Sequence, residues 1–162
     1  PLDGATAEAI SDIFTEVVVA PNADEAYFRS HINPLLAQPH VEFIGEISEQ
    51  EKPQFLGNAQ ALLFPIDWPE PFGLVVIEAM SCGTPVIAWG AGSVPEVIDH
   101  GITGWIVDCI EAAVDAVHRV PLLDRHKVRA CFEHRFSVER MARDYLKLYQ
   151  QIAPGRSHRF AA

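Results

Sequence analysis

The chain has 162 residues, 49% apolar and 21% charged, the make-up of one folded domain, which excludes wholesale disorder. Its 22 acidic against 12 basic residues leave a net charge of −10 with histidine neutral. That balance argues against a general binder of nucleic acid or anionic membrane, since phosphate surfaces call for a cationic face.

In chain order, apolar positions at helical spacing (Ala5, Ala9, Ile10, Ile13) predict a helix over 5–14. The β-branched run Glu16 to Ala20, closed by Pro21, predicts a buried strand. Asp24 is placed to cap a helix running to about Leu36, and Val41 to Gly45 is a second strand candidate. Ser48 stands three residues before Glu51, the spacing of a capping box, ahead of a helix to about Asn58. Ala61 to Pro65 is a third strand, followed by a loop rich in proline and tryptophan. A helix is expected from Phe72 to Cys82, stopped by Gly83, then a strand over Pro85 to Trp89 and a turn at Gly90-Ala91-Gly92. A short helix from Val94 to His100 and a strand from Gly104 to Asp108 come next. Helices over about 110–119, 124–135 and 137–152 complete the chain, with a frayed tail from Pro154 to Ala162.

Strands alternating with helices, as near-continuous apolar runs, predict an α/β, doubly wound parallel sheet covered on both faces. In such sheets ligands bind beyond the carboxyl ends of the strands. The loops after Ala20, Gly45, Phe64 and Trp89 are therefore the places to look, and the most informative is the one from Phe64 to Gly73. It leads into a helix start, where backbone N–H groups lack internal partners and the dipole favours anions. Gly73 lets a phosphate approach the amides of Gly73, Leu74 and Val75. Glu70 precedes that helix and Glu78 lies inside it, among apolar neighbours that imply burial. Carboxylates so spaced can accept hydrogen bonds from hydroxyls at the two ends of a nucleotide sugar.

The ordered run from Glu70-Pro-Phe-Gly through Glu78-Ala-Met to Thr84-Pro-Val-Ile resembles a known signature, two glutamates with seven residues between them. It is followed at matching distances by Gly92-Ser-Val-Pro-Glu-Val-Ile98 and Gly101-Ile-Thr-Gly-Trp-Ile-Val107. The pattern is that of the retaining group 1 glycosyltransferases of GT-B fold, in their carboxy-terminal, donor-binding domain. The resemblance runs from about Val17 to Tyr149 and implies a Rossmann-like domain over 1–153. It implies that Glu70 is the catalytic carboxylate at the donor sugar and that Glu78 binds the ribose. Phe72, Gly73, Leu74 and Val75 would line the diphosphate, and Ile47 and Ser48 would approach the base. The reaction implied is hexose transfer from a UDP- or GDP-sugar with retained configuration and no cofactor or metal. The chain agrees in having no Asp-x-Asp pair. The alternatives are a nucleotide-sugar binding module without turnover, or an epimerase or phosphorylase of related architecture.

The family's first strand and its basic loop have no counterpart in the sequence, and neither does the acceptor domain. The opening Pro1-Leu2-Asp3-Gly4 likewise suggests processing or truncation. The expectation is a fragment inactive by itself, whose last three helices cross to a missing partner domain. No apolar run approaches the roughly 20 residues of a membrane span. Cys82, Cys109 and Cys131 form no C-x-x-C pair and read as reduced thiols. A cytoplasmic location follows, with peripheral membrane attachment through the absent domain left open. Among lesser features, the seven histidines are scattered without metal-ligand spacing. Glu96 and His100 are read as a local pair, and Arg135 to Arg143 as a solvated helix face. Trp68, Trp89 and Trp105 read as packing residues in preference to sugar platforms.

Overall fold

The computed structural model describes residues 28–152. The helix expected over 5–14, the strand over 16–20 and the Asp24 cap lie outside them. The described chain opens with one π-helical turn, Phe28–Ile32, running into α1 (Asn33–Leu36). Val41 to Gly45, expected as a strand, has only a single bridge position, at Phe43. Among the described residues the sheet is β1-β2-β3, and the segment is not one of its strands.

α2 (Lys52–Asn58) leads to β1 (Leu62–Phe64), which is followed by α3 (Leu74–Ser81) and β2 (Val86–Trp89). The short α4 (Val94–Val97) precedes β3 (Gly104–Val107). The strands lie in the order β1-β2-β3, all parallel, with Phe64 opposite Ala88 and Ala88 opposite Ile106. Side chains alternate between the faces of a strand, so each short apolar run supplies two cores. Phe64, Val86 and Ala88 pack with Leu56, Val76, Met80 and Val128 on one face. Ile87, Trp105 and Val107 pack with Ala116, Val117 and Val120 on the other. That is why these strands read as continuous apolar sequence: neither face is left to water. The helices on the two faces are α3, α4 and α6 (Arg125–Phe136) against α5 (Ile110–Arg119).

Two helices are shorter than their sequence pattern. α3 starts at Leu74, after Gly73 in the left-handed region at φ 73°, and so leaves Phe72 in the loop. α4 stops at Val97 because the Asp99 carbonyl takes the N–H groups of Ile102 and Thr103, turning the chain toward β3. His100 is thereby carried away from Glu96, and its Nδ1 accepts the Ile106 N–H at 3.1 Å, so the expected local pair is not made.

Polar fasteners hold the layers together. Thr84, wholly buried, donates to the Leu56 carbonyl at 2.6 Å and accepts from Arg125 Nη2 at 2.8 Å. Arg125 also reaches the carbonyls of Gly57 and Ala59, each at 2.7 Å, satisfying the last carbonyls of α2. Arg135, expected on a solvated face, is instead half-buried. Its guanidinium binds the carbonyls of Glu96 and Val97 and the Asp99 carboxylate, closing the end of α4.

The last helix, α7 (Val138–Ile152), buries none of its residues. Val138, Met141, Tyr145, Leu148, Tyr149 and Ile152 form an exposed apolar stripe at helical spacing. Beside it Asp144 pairs with Arg140 and Lys147. Among the described residues no helix is long and apolar enough to cross a membrane.

Candidate functional site

The site grows from the carboxyl ends of β1 and β2. The chain leaves β1 at Phe64 and runs through Pro65, Pro69 and Pro71, whose rings restrict the loop. It enters α3, which is pinned to the core through Val76, Ala79 and Met80 at i, i+3 and i+4. Glu70 is therefore borne on a stiff segment between two anchored elements.

Glu70 is half-buried and held on every side. Its N–H donates to the Trp68 carbonyl at 2.8 Å, and its own carbonyl accepts the Ser93 N–H at 3.0 Å. One carboxylate oxygen accepts the Trp68 indole N–H at 3.1 Å, and the other the Gly73 N–H at 3.3 Å. Gly92, from the loop after β2, lies against the Glu70 backbone. A Cβ there would come within 2.5 Å of the Glu70 nitrogen, and nearer still to its carbonyl oxygen. Gly90-Ala91-Gly92, read from the sequence as a plain turn, thus abuts the motif glutamate.

A cavity of about 440 Å³ opens here, lined by Pro69, Glu70, Phe72, Ser93, Glu96 and Arg135 among others. Its arginine is committed to the end of α4, and two carboxylates line the cavity: the exposed Glu96 and the half-buried Glu70, which keeps acceptor capacity beyond its two N–H bonds. Phe72 packs edge-on to Phe136, with centroids 6.3 Å apart, and forms one wall. At the start of α3 the Gly73 N–H is taken by Glu70, while those of Leu74 and Val75 have no hydrogen-bond partner among the described residues. Leu74 is exposed and Val75 half-buried.

Glu78 does not line this cavity. Nor is it the buried, lone carboxylate its neighbours suggested. Its side chain is 35% exposed and pairs with Lys52 Nζ at 3.1 Å. Leu74 faces water, and α3 buries one side only, which leaves the flank carrying Glu78 open to α2. Lys52 also binds Glu49 at 2.7 Å. The bonds to Glu49 and then Glu78 hold its ammonium above the ordinary 10.5, with desolvation opposing. Lys52 escaped the sequence reading because its partner is 26 residues away, beyond any local spacing rule.

Ile47 is half-buried and Ser48 exposed, at the head of the turn that starts α2. The capping box is made in full: the Glu51 carboxylate accepts from the Ser48 N–H at 3.2 Å and its hydroxyl at 2.5 Å, and the Glu51 N–H reaches Ser48 Oγ at 3.3 Å. Those bonds, the hydroxyl's first, hold the Glu51 carboxyl below its ordinary 4.5. Ser48 is thus occupied in starting α2, the helix that presents Lys52 to Glu78.

Residues 6–132 match the profile of the family described as Glycosyl transferases group 1. The chain belongs to the group 1 glycosyltransferases. An uncharacterised 41.2 kDa protein of the cps region of Klebsiella pneumoniae is 34% identical over 125 residues, 71% of this chain and 34% of that protein. The phosphatidyl-myo-inositol mannosyltransferase of Mycobacterium leprae is 26% identical over 90% of this chain and 40% of its own length. Sucrose-phosphate synthase from Thermosynechococcus elongatus superposes with a TM-score of 0.72 at 26% identity, over 90% of this chain and 41% of that one. The fold is also that of Anabaena HepE, solved in complex with UDP-glucose, with a TM-score of 0.71 at 21% identity, over 93% of this chain and 45% of that one. The glycosyltransferase chain described here thus spans well under half the length of these relatives, and corresponds to their carboxy-terminal, Rossmann-like domain.

Proposed function

We propose that this chain is the donor-binding domain of a retaining glycosyltransferase, which moves a hexose from a UDP- or GDP-sugar to an acceptor without a metal. The observation that carries the reading is Glu70: a carboxylate at the carboxyl end of a parallel strand, held by two N–H donors, with lone pairs left for sugar hydroxyls in the adjoining cavity. The N–H groups of Leu74 and Val75 offer an unfilled place for the diphosphate. Charge grows on that group as its bond to the sugar breaks, and oriented donors stabilise it most at that moment. Glu78 faces a different side of α3 and takes the ribose hydroxyls, with Lys52 aiming it. The base then lies toward Ile47 and Ser48. UDP-glucose and UDP in the HepE structures favour a uridine donor, and a GDP-mannose-dependent mannosyltransferase relative from Mycobacterium tuberculosis a guanosine one.

Transfer requires an acceptor, and acceptor binding falls to the portion of the longer relatives that this sequence does not span. The chain alone is expected to bind nucleotide without turnover. Calorimetric titration with UDP, GDP and ADP tests the assignment. Glu78→Ala should weaken the preferred nucleotide by about ten- to a hundredfold, the worth of one or two hydrogen bonds to a charged group. An unchanged affinity in that variant would refute the ribose role.

A further inference from the structure

We propose that Trp68 is a positioning residue for Glu70, its indole N–H setting the carboxylate for the donor sugar. This rests on the donor-domain reading above and assigns a role to a residue outside the two-glutamate motif.

Trp68 is 57% exposed, so packing does not explain a tryptophan at this position. What it has is a partner. The indole offers a single N–H, and that donor is spent on Glu70 Oε2 at 3.1 Å. The same two residues are joined through the backbone, Glu70 N–H to Trp68 carbonyl at 2.8 Å, around Pro69. A bond across two residues closes a tight turn, and the indole bond ties the same two residues together a second time. The loop is therefore shaped to bring this indole to this carboxylate.

The other donor to the carboxylate, the Gly73 N–H at 3.3 Å, lies beyond the usual range for a strong bond. With that bond alone a glutamate side chain keeps much of its rotamer freedom, and a sugar must then fix it at an entropic cost. With both donors in place the carboxylate plane is defined. An ionised carboxylate has about four lone-pair sites, and protein donors use two. The remaining two, one on each oxygen, are left for a pair of adjacent hydroxyls. Trp68 thus acts on the sugar and leaves the nucleotide untouched, which separates its role from a general contribution to the site.

The test uses the whole chain and Trp68→Phe, which keeps an aromatic ring and removes the donor at an exposed position. Calorimetry measures UDP against UDP-glucose and GDP against GDP-mannose. For the pair that binds, the variant should hold the free nucleotide within about twofold of wild type and the nucleotide sugar about tenfold more weakly, the worth of one hydrogen bond to a charged group. A ligand-free measurement accompanies it. Trp68, Trp89 and Trp105 give three indole N–H resonances. The one missing in Trp68→Phe should move and exchange faster in Glu70→Gln, with the other two unchanged. If nucleotide binds but Trp68→Phe treats the nucleotide sugar as wild type does, the positioning role is overturned. It is equally overturned if only Trp68→Ala loses sugar binding, since the ring face and not the N–H then acts. If no nucleotide binds wild type at all, the donor-domain reading falls and takes this role with it.

Discussion

Gly92→Ala is the sharpest probe of how the two loops assemble the site. Gly92 has φ +55°, in the left-handed region, where a residue with a Cβ is disfavoured by about 1–2 kcal/mol. The added methyl would also stand 2.5 Å from the Glu70 nitrogen and 2.8 Å from the Pro69 carbonyl carbon. Ordinary separation requires the loops to part by about 1 Å, and both obstacles are backbone, which cannot swing aside. Parting them also breaks the Ser93 N–H bond to the Glu70 carbonyl, a further loss of about 1 kcal/mol. The sum is about 3 kcal/mol, which for a chain of this size lowers the melting temperature by about 6–12 °C. Glu70 moves with its backbone, so the preference for nucleotide sugar over free nucleotide should fall as well. Calorimetric melting followed by titration reads both effects. A variant melting within about 2 °C of wild type, with its sugar preference intact, would show that the Gly92 loop does not brace Glu70.

Two further predictions concern the frame. Thr84→Val keeps the shape of a wholly buried side chain but removes its bonds to Leu56 and Arg125, and should cost about 1–2 kcal/mol in urea unfolding; no loss would mean that water or a neighbour replaces those bonds. Ser48→Ala should make stability less sensitive to acid. Because Glu51 is held below its ordinary 4.5, its contribution is full above that pH and fades as pH falls through the lower folded value. The variant should therefore be the less stable protein at neutral pH, with the gap narrowing below 4.5. A gap constant with pH in thermal melts would deny the coupling.

The sheet was legible because Leu62 to Phe64, Val86 to Trp89 and Gly104 to Val107 are apolar runs punctuated by proline and glycine, and burial on two faces needs nothing subtler. The Ser48–Glu51 box was legible because a cap is a local bond with a fixed spacing. Pairings between separate elements were not. Lys52 meets Glu78 only once α2 lies against α3, and the Gly92 loop meets Glu70 only once β1 and β2 are paired. Local reasoning also erred where a helix ended early. Glu96 and His100 have the spacing of a pair, yet the turn at Asp99 separates them before a second helical turn can form. The motif put Glu70 and Glu78 together, but did not show that Glu78 stands outside the cavity Glu70 lines and pairs with Lys52.

α7 puts stability in a different light. Fifteen residues make a helix only marginally stable alone in water, and this one leans chiefly on α6 while its apolar stripe lies open. Its hydrogen bonds can therefore open without disturbing the sheet, as a cooperative unit of its own. The molecule described here has two levels of order. One is an α/β body whose two packed cores carry Glu70 and its partners. The other is a terminal helix whose persistence is governed by what surrounds it, so that its amides report on neighbours rather than on the fold.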